Sequence, residues 1–447
     1  MIDAGQNEYI ARPFDVVPIT KKILIIFLLL LPLQHLLKRV FIHYHFLVKL
    51  VAYSDEISTL LMFAVLFAFI ALKPKVYSFR IMELPTTVPI MLFVIVASFS
   101  MLYNNVSVLQ GGFGIYDVIK NILVFYVFAT LRWRREELLS FIFWIKVIII
   151  ILAVTGIIAE ILAIAGINPE LNPLVRMYGA HKRRLGLDRV ISITGSGGVN
   201  YLGMYALLGL FLIYATTKDK LKKFSGMFST LGLIFLTFSR QTWMGLFAMM
   251  VLTKKKLIWP GLLIIAGIVL ITLPTVERLT PELYYRSFTY LEALRIFIEH
   301  PVIGAGPGMF GGLASVMFHS PYYNDWPTFY RNMIYNLGSL DAFWPSVLAE
   351  LGVLGFLAYL YIWMALYRRI SMISLWFKSN ADMDLYNIGN VLKHYVIALV
   401  IMCFFTGLNK PFVIYTFFAL CGIYLSLFYR SREDDNLMVA NEQVRQL

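Results

Sequence analysis

Stretches dominated by Leu, Ile, Val and Phe, with few charges, recur almost from one end of this sequence to the other. They occupy 22–40, 57–72, 86–103, 114–131, 140–166, 198–216, 224–239, 240–253, 257–273, 341–367, 391–408 and 411–429. A hydrocarbon core about 30 Å thick takes roughly twenty apolar residues of helix, so the pattern predicts about twelve transmembrane helices and an all-α polytopic membrane protein. The least distinct boundary is FSRQTW (238–243); one span there in place of two would exchange the sides of every later loop. The chain divides into helices 1–9 over 1–273 with a medium external loop at 167–197, a large external loop at 274–340, helices 10–12 over 341–429, and a tail at 430–447.

Charge tests that count, because Lys and Arg in short loops stay on the cytoplasmic side. With the N-terminus inside, the cytoplasmic connections are KPKVYSFR (73–80), RWRR (132–135), KDKLKK (218–223), KKK (254–256), RR (368–369) and the tail RSR (430–432). Eleven spans would put the KKK loop outside. Twelve spans with both termini cytoplasmic is the consistent solution.

Composition agrees: 59% of residues are hydrophobic and 15% charged, where soluble domains carry roughly 25% charged residues. The net charge of +13 therefore reads as basic helix ends beside anionic headgroups. No basic run is interleaved with aromatics on a soluble face, which argues against nucleic acid. KKILIIFLLLLPLQHLLKRV (21–40) has no small-residue cleavage site after it and is not a removable signal. Cys403 and Cys421 both fall inside spans and read as apolar filler, neither a disulfide nor a metal pair.

The exceptions to the charge rule point to chemistry. The two external loops hold Arg176, Arg183, Arg184 and Arg189, then Arg278, Arg286, Arg295 and Arg331, and Arg240 stands at the outer end of the seventh and eighth spans. Arginine's planar fork binds phosphate and carboxylate bidentately and keeps its proton. The set suits a lipid-linked diphosphate. The alternative is local pairing with Glu170, Asp188, Glu277 and Glu282, of the kind common on surfaces. YYRSFTY (284–290) and PYYNDWPTFY (321–330) make the large loop aromatic, either as an interfacial belt or as a platform for sugar rings.

GPGMFG (306–311) matches G-x-G-x-x-G, but no strand precedes it and it lies in an external loop, so a dinucleotide turn is excluded. Gly304, Gly306 and Gly308 instead predict a tight return of the backbone through positive φ values. Backbone N–H groups of such a turn are also able to cradle an anion.

Three stretches resemble a known superfamily: DRVISITGSGGVNYLGMY (188–205), TFSRQTWMGL (237–246), and RSFTYLEALRIFIEHPVIGAGPGMF (286–310) followed by DAFWPSVLAELGVLG (341–355). In order and topology they are similar to the O-antigen ligases and the O-antigen and exopolysaccharide polymerases (Wzy-type). These are inner-membrane glycosyltransferases of GT-C-like architecture, with short helices in one large periplasmic loop. The resemblance covers roughly 180–360; before that only hydropathy agrees. Ligases of the family usually carry a His at the start of the helix after the large loop, nine positions before the Glu. Asp341 stands there in this chain, with Glu350 as the Glu, which favours a polymerase or another branch of the superfamily over a ligase.

The resemblance implies an undecaprenyl-diphosphate-linked glycan as donor and a sugar hydroxyl as acceptor, with inversion at the anomeric carbon. It implies a bacterial inner-membrane location and an active site on the periplasmic face. The leaving diphosphate needs fixed cations, assigned to Arg189, Arg240 and Arg286. Arg295 is a less secure fourth: it stands nine positions from Arg286, about two and a half turns, sharing a side only roughly, and Glu292 or Glu299 is an alternative partner. Asp341 is the candidate general base, or the cap of the helix it precedes. Glu350, within a span, is either structural or substrate-facing. His300 before Pro301 reads as a helix end, with catalysis as the lesser alternative. No cofactor or metal is expected. Membrane lipids and a chain-length regulator or export complex are the expected partners. A lipid-glycan transporter remains the competing class, although the two halves show no convincing repeat.

Overall fold

A hydrocarbon interior offers the backbone no hydrogen-bond partner, so apolar runs fold as helices that satisfy their own N–H and C=O groups. The computed structural model of the chain describes residues 16–34, 37, 41, 44–52, 54–72, 81–165, 183–184, 187–188, 199–237, 239–253, 281–340, 343–408 and 411–446. In chain order these form α1 (Val16–Leu30), α2 (His45–Ala52), α3 (Ser54–Leu72), α4 (Thr87–Tyr103), α5 (Val108–Thr130) and α6 (Arg135–Ile164). A two-residue antiparallel pair follows, β1 (Arg183–Arg184) and β2 (Leu187–Asp188), with Arg183 opposite Asp188. Then come α7 (Val199–Thr216), α8 (Lys220–Thr237), α9 (Arg240–Thr253), α10 (Pro281–Glu299), α11 (Leu313–Met317), α12 (Thr328–Leu337), α13 (Phe343–Ser379), α14 (Met383–Met402) and α15 (Pro411–Gln446).

Five helices among the described residues are long and apolar enough to cross a membrane: Val108–Thr130, Arg135–Ile158, Phe343–Ser379, Met383–Met402 and Phe412–Arg432. Ile57–Ala68, Thr87–Tyr103 and Asn200–Thr216 are shorter apolar helices beside them. The chain is thus an all-α protein of transmembrane character. The run predicted at 257–273 lies outside the described residues, as do Arg189 and Asp341.

The first half of α15 is the buried axis of the bundle, packed most extensively on α5. Gly422 permits that approach, since a Cβ there would stand 2.7 Å from the carbonyl oxygen of Phe125. The pairs α13–α14, α7–α8, α9–α14 and α4–α13 surround it.

Helix bounds depart from the hydropathy reading in α13 and α14. The run expected to end at 367 continues to Ser379, so Arg368 and Arg369 are helical and do not form a connecting loop. Arg369 stays there because its guanidinium lies over the rings of Phe428 and Tyr429 and donates to the Tyr429 hydroxyl at 2.6 Å. The turn falls at 380–382 instead, where the Asp382 carboxylate accepts from Leu385 N and caps α14. FSRQTW divides two separate helices: α8 packs on α6 and α7, α9 on α14.

At the end of the bundle bearing that turn, Arg135 reaches Asp382 at 3.2 Å and Asp384 at 3.0 Å, and Lys218 reaches Asp384 at 3.4 Å. Lys21 of α1 pairs with Glu137 there at 3.0 Å. RWRR and KDKLKK therefore share one end. The segment 281–340 occupies the other, where Phe343 N donates to Cys403 O at 3.1 Å.

Candidate functional site

At the loop-bearing end, α10 has differently employed sides. Tyr285, Thr289, Ala293 and Ile296 are buried. Glu292, Arg295 and Glu299 form a charged row, and Leu291, Leu294 and Ile298 an exposed apolar row. Tyr290 turns the other way and donates its hydroxyl to the carbonyl of Phe404, just past α14. Residue 286 stands one turn before Tyr290, on the same side. Nine residues are two and a half turns, so positions 286 and 295 lie on opposite sides of α10. Arg295 is exposed and bonds Glu292 at 2.9 Å and Glu299 at 3.0 Å. Glu292 above all holds its guanidinium proton more firmly than usual.

The aromatic stretches build a small core of their own. Phe288 stacks on Tyr330 at 4.2 Å and meets Trp326 edge-on at 5.0 Å; Tyr323 meets Trp326 at 4.7 Å. With Tyr285, Tyr323 and Trp326 buried, most of this density is packing within the loop, and those rings are closed to sugar stacking. Tyr322 is half-buried, its hydroxyl 3.2 Å from His300 Nε2, and burial raises its phenol above the usual value. His300 closes α10, its N–H bonded to Ile296 O, and its carbonyl accepts from Gly304 N at 3.0 Å.

From there the chain runs into a break in α13. Gly352 is non-helical, with φ 60° and ψ −163°, and the broken helix turns its backbone to the loop. Val353 N and Leu354 N donate to Pro301 O and Val302 O, while Ala305 N and Gly306 N donate to Ala349 O and Glu350 O at 2.9 and 2.8 Å. Positive φ at Gly304, Gly306, Gly308 and Gly311 makes the turn. Gly304 allows no side chain, as a Cβ would fall 2.3 Å from Glu350 O. The opposite flank is held by α4 and α5. Ser100 Oγ donates to Ile303 O at 2.6 Å, Asn104 Nδ2 to Gly304 O at 3.0 Å, and Gln110 Nε2 to Gly308 O at 2.9 Å.

The turn does direct an N–H toward a polar group, and the group belongs to the chain. Glu350 Oε1 accepts Phe310 N at 2.8 Å. Glu350 is buried. Next to it, Asp117 of α5 pairs with Lys120; a Cβ on Gly312 would lie 3.8 Å from Asp117 Oδ2. In the sequence Asp117 is marked only as a carboxylate within the apolar run 114–131, three residues before Lys120.

A second gathering joins α7, α9 and α14. Ser239 Oγ donates to Asn200 Oδ1 at 3.2 Å and accepts from Thr242 Oγ1 at 2.9 Å. Arg240 opens α9 and is exposed. Gly245 lies against Met402, where a Cβ would stand 2.6 Å from its Sδ, so α9 begins close to the last turn of α14. Phe343 reaches the same place, its N bonding Cys403 O and Thr406 O, and Leu340 N bonds Gly311 O at 2.8 Å. Arg240, residue 286 and the residues flanking position 341 thus stand around the end of α14. Arg295 and Glu350 do not join them.

No protein-family model matches the chain, and no curated protein does.

Proposed function

We propose that the protein is a polymerase of a surface polysaccharide, a membrane glycosyltransferase acting on undecaprenyl-diphosphate-linked repeat units at the external face of a bacterial inner membrane. On this reading twelve spans carry a GT-C-like site under the large loop. One observation carries it: stretches far apart in sequence that hold the family resemblance meet at one end of the bundle. Residues 188–205 touch 237–246 through Asn200 and Ser239. Residues 286–310 are stitched to 341–355 through Ala305–Ala349 and Gly306–Glu350. α9, α10 and the start of α13 then converge on 402–406.

The chemistry follows from the side chains. A hydroxyl oxygen of the acceptor glycan attacks the anomeric carbon of the donor from the face opposite the diphosphate, and the bond from that carbon to the diphosphate oxygen breaks. Asp341 takes the hydroxyl proton. Arg240 and Arg286, with Arg189, meet the charge that grows on the departing diphosphate, so no metal ion is needed. Arg295 is left out of this proposal, because its guanidinium is already paired with Glu292 and Glu299.

The test uses purified protein in nanodiscs with an undecaprenyl-diphosphate repeat unit from the native glycan pathway, with products resolved on a gel. A metal-independent ladder, lost in Asp341→Asn and Arg286→Ala, supports a polymerase. A single transfer requiring a lipid A-core acceptor would make the protein a ligase. Absence of any transfer would put the transporter class ahead.

A further inference from the structure

We infer that Glu350 is a positioning residue, whose carboxyl holds the 306–311 turn by the backbone N–H of Phe310 and through it sets the place of the segment entering position 341. The inference rests on the transferase reading for its kinetic consequence, but its structural core stands without it.

Glu350 is buried two residues before the break in α13. A carboxyl in that setting needs partners, because a buried polar group without them is costly. Its partner is one of the loop's own amides, Phe310 N at 2.8 Å. The main chain carries the contact onward. The residue after Phe310 is Gly311, whose carbonyl accepts from Leu340 N at 2.8 Å. Leu340 immediately precedes Asp341.

The contact is fixed from both sides, so it transmits position and does not merely fill space. Gly311 N donates to the Tyr323 hydroxyl at 2.8 Å, and Ser320 Oγ donates to Met309 O at 2.5 Å, which leaves the turn little freedom once Phe310 is held. Beyond Leu340 the chain is pinned again where Phe343 N meets Cys403 O. The described residues on either side of position 341 are therefore both anchored, Leu340 through the turn that Glu350 holds and Phe343 at Cys403. Glu350 itself is buried against the turn that Phe310 N belongs to. The amide of Gln keeps Oε1 and with it the acceptor for Phe310 N.

Glu350→Gln, Glu350→Ala and wild type would be compared in nanodiscs by hydrogen exchange over 306–312 and by kcat and KM for repeat-unit transfer. We expect fast exchange in Glu350→Ala and protection near wild type in Glu350→Gln. For a displaced catalytic group the loss of turnover is on the order of a hundredfold. We expect that loss in kcat for Glu350→Ala, with KM little changed, and rescue to within about tenfold by Glu350→Gln. Unchanged exchange in Glu350→Ala would overturn the inference. So would a Glu350→Gln protein that keeps loop protection yet is as inactive as Glu350→Ala, because the carboxyl would then act on a proton or on substrate. A wild type without transferase activity refutes the proposed function alone, and the exchange pattern still decides whether Glu350 holds the turn.

Discussion

Gly304 and Gly352 meet backbone to backbone: a Cβ on Gly352 would stand 2.6 Å from Gly304 N, and one on Gly304 2.2 Å from the carbonyl carbon of Glu350. Both have positive φ, 69° and 60°. Alanine at either position meets a clash with main chain together with an unfavourable conformation, so each substitution should cost about 3 kcal/mol or more. Thermal unfolding in detergent should report a clear drop for both. A Gly352→Ala protein as stable as wild type would mean that α13 is not broken there.

Arg295 and Arg286 should separate in activity. Arg295 is held in an exposed pair with Glu292 and Glu299, and such pairs contribute about 0.2–1 kcal/mol. Arg295→Ala should change turnover by no more than about threefold, whereas loss of a cation at a developing diphosphate charge costs on the order of a hundredfold or more in Arg286→Ala. The gel assay with both variants checks this, and equal losses would restore Arg295 to the diphosphate set.

Alkaline pH should loosen the loop through Tyr323. Its hydroxyl accepts from Gly311 N and lies 2.7 Å from Ser315 Oγ, which itself donates to Gly312 O; the phenol proton is thus the one shared with Ser315. Burial raises its pKa above the ordinary value. The folded state favours the neutral form, so the contribution is whole below about pH 10, the usual tyrosine value, and is lost as pH rises through the folded pKa. Exchange over 306–315 should accelerate in that window. Tyr323→Phe should be looser at every pH, by about 1–3 kcal/mol for the stranded partners, and should lack this alkaline step.

At the opposite end, Asp382 both caps α14 and meets Arg135. Asp382→Ala should cost about 0.5–2 kcal/mol, most of it from the cap. Asp382→Asn keeps a capping oxygen and should recover most of that, while Arg135→Ala, exposed in its pair, should cost less than about 1 kcal/mol. Parallel melting curves test the ranking; a larger loss for Arg135→Ala would make the ion pair the dominant contact.

Hydropathy located the helices better than it located their ends. The run at 86–103 is α4 within one residue, and 198–216 is α7. It failed where polar residues remain helical by packing, as Arg369 does on Phe428 and Tyr429, and where a cap precedes a polar first turn, as Asp382 does before MDLYN. The glycine turn was legible because few residues other than Gly take positive φ readily. Its anchors were not: Ser100, Asn104 and Gln110 are unremarkable polar residues near helix ends until 301–308 is laid against them. Aromatic density in the loop suggested a surface, but only folding tells that Tyr323 and Trp326 face inward.

The splice between loop and broken helix also sets an order of assembly. The donors of Ala305 and Gly306 wait for acceptors at Ala349 and Glu350, and Pro301 and Val302 offer theirs to Val353 and Leu354. During synthesis the first partner of each pair is made before the second exists. A nascent chain ending before residue 349 carries these groups unmatched, so on this account the loop reaches its final form only as α13 arrives to close against it.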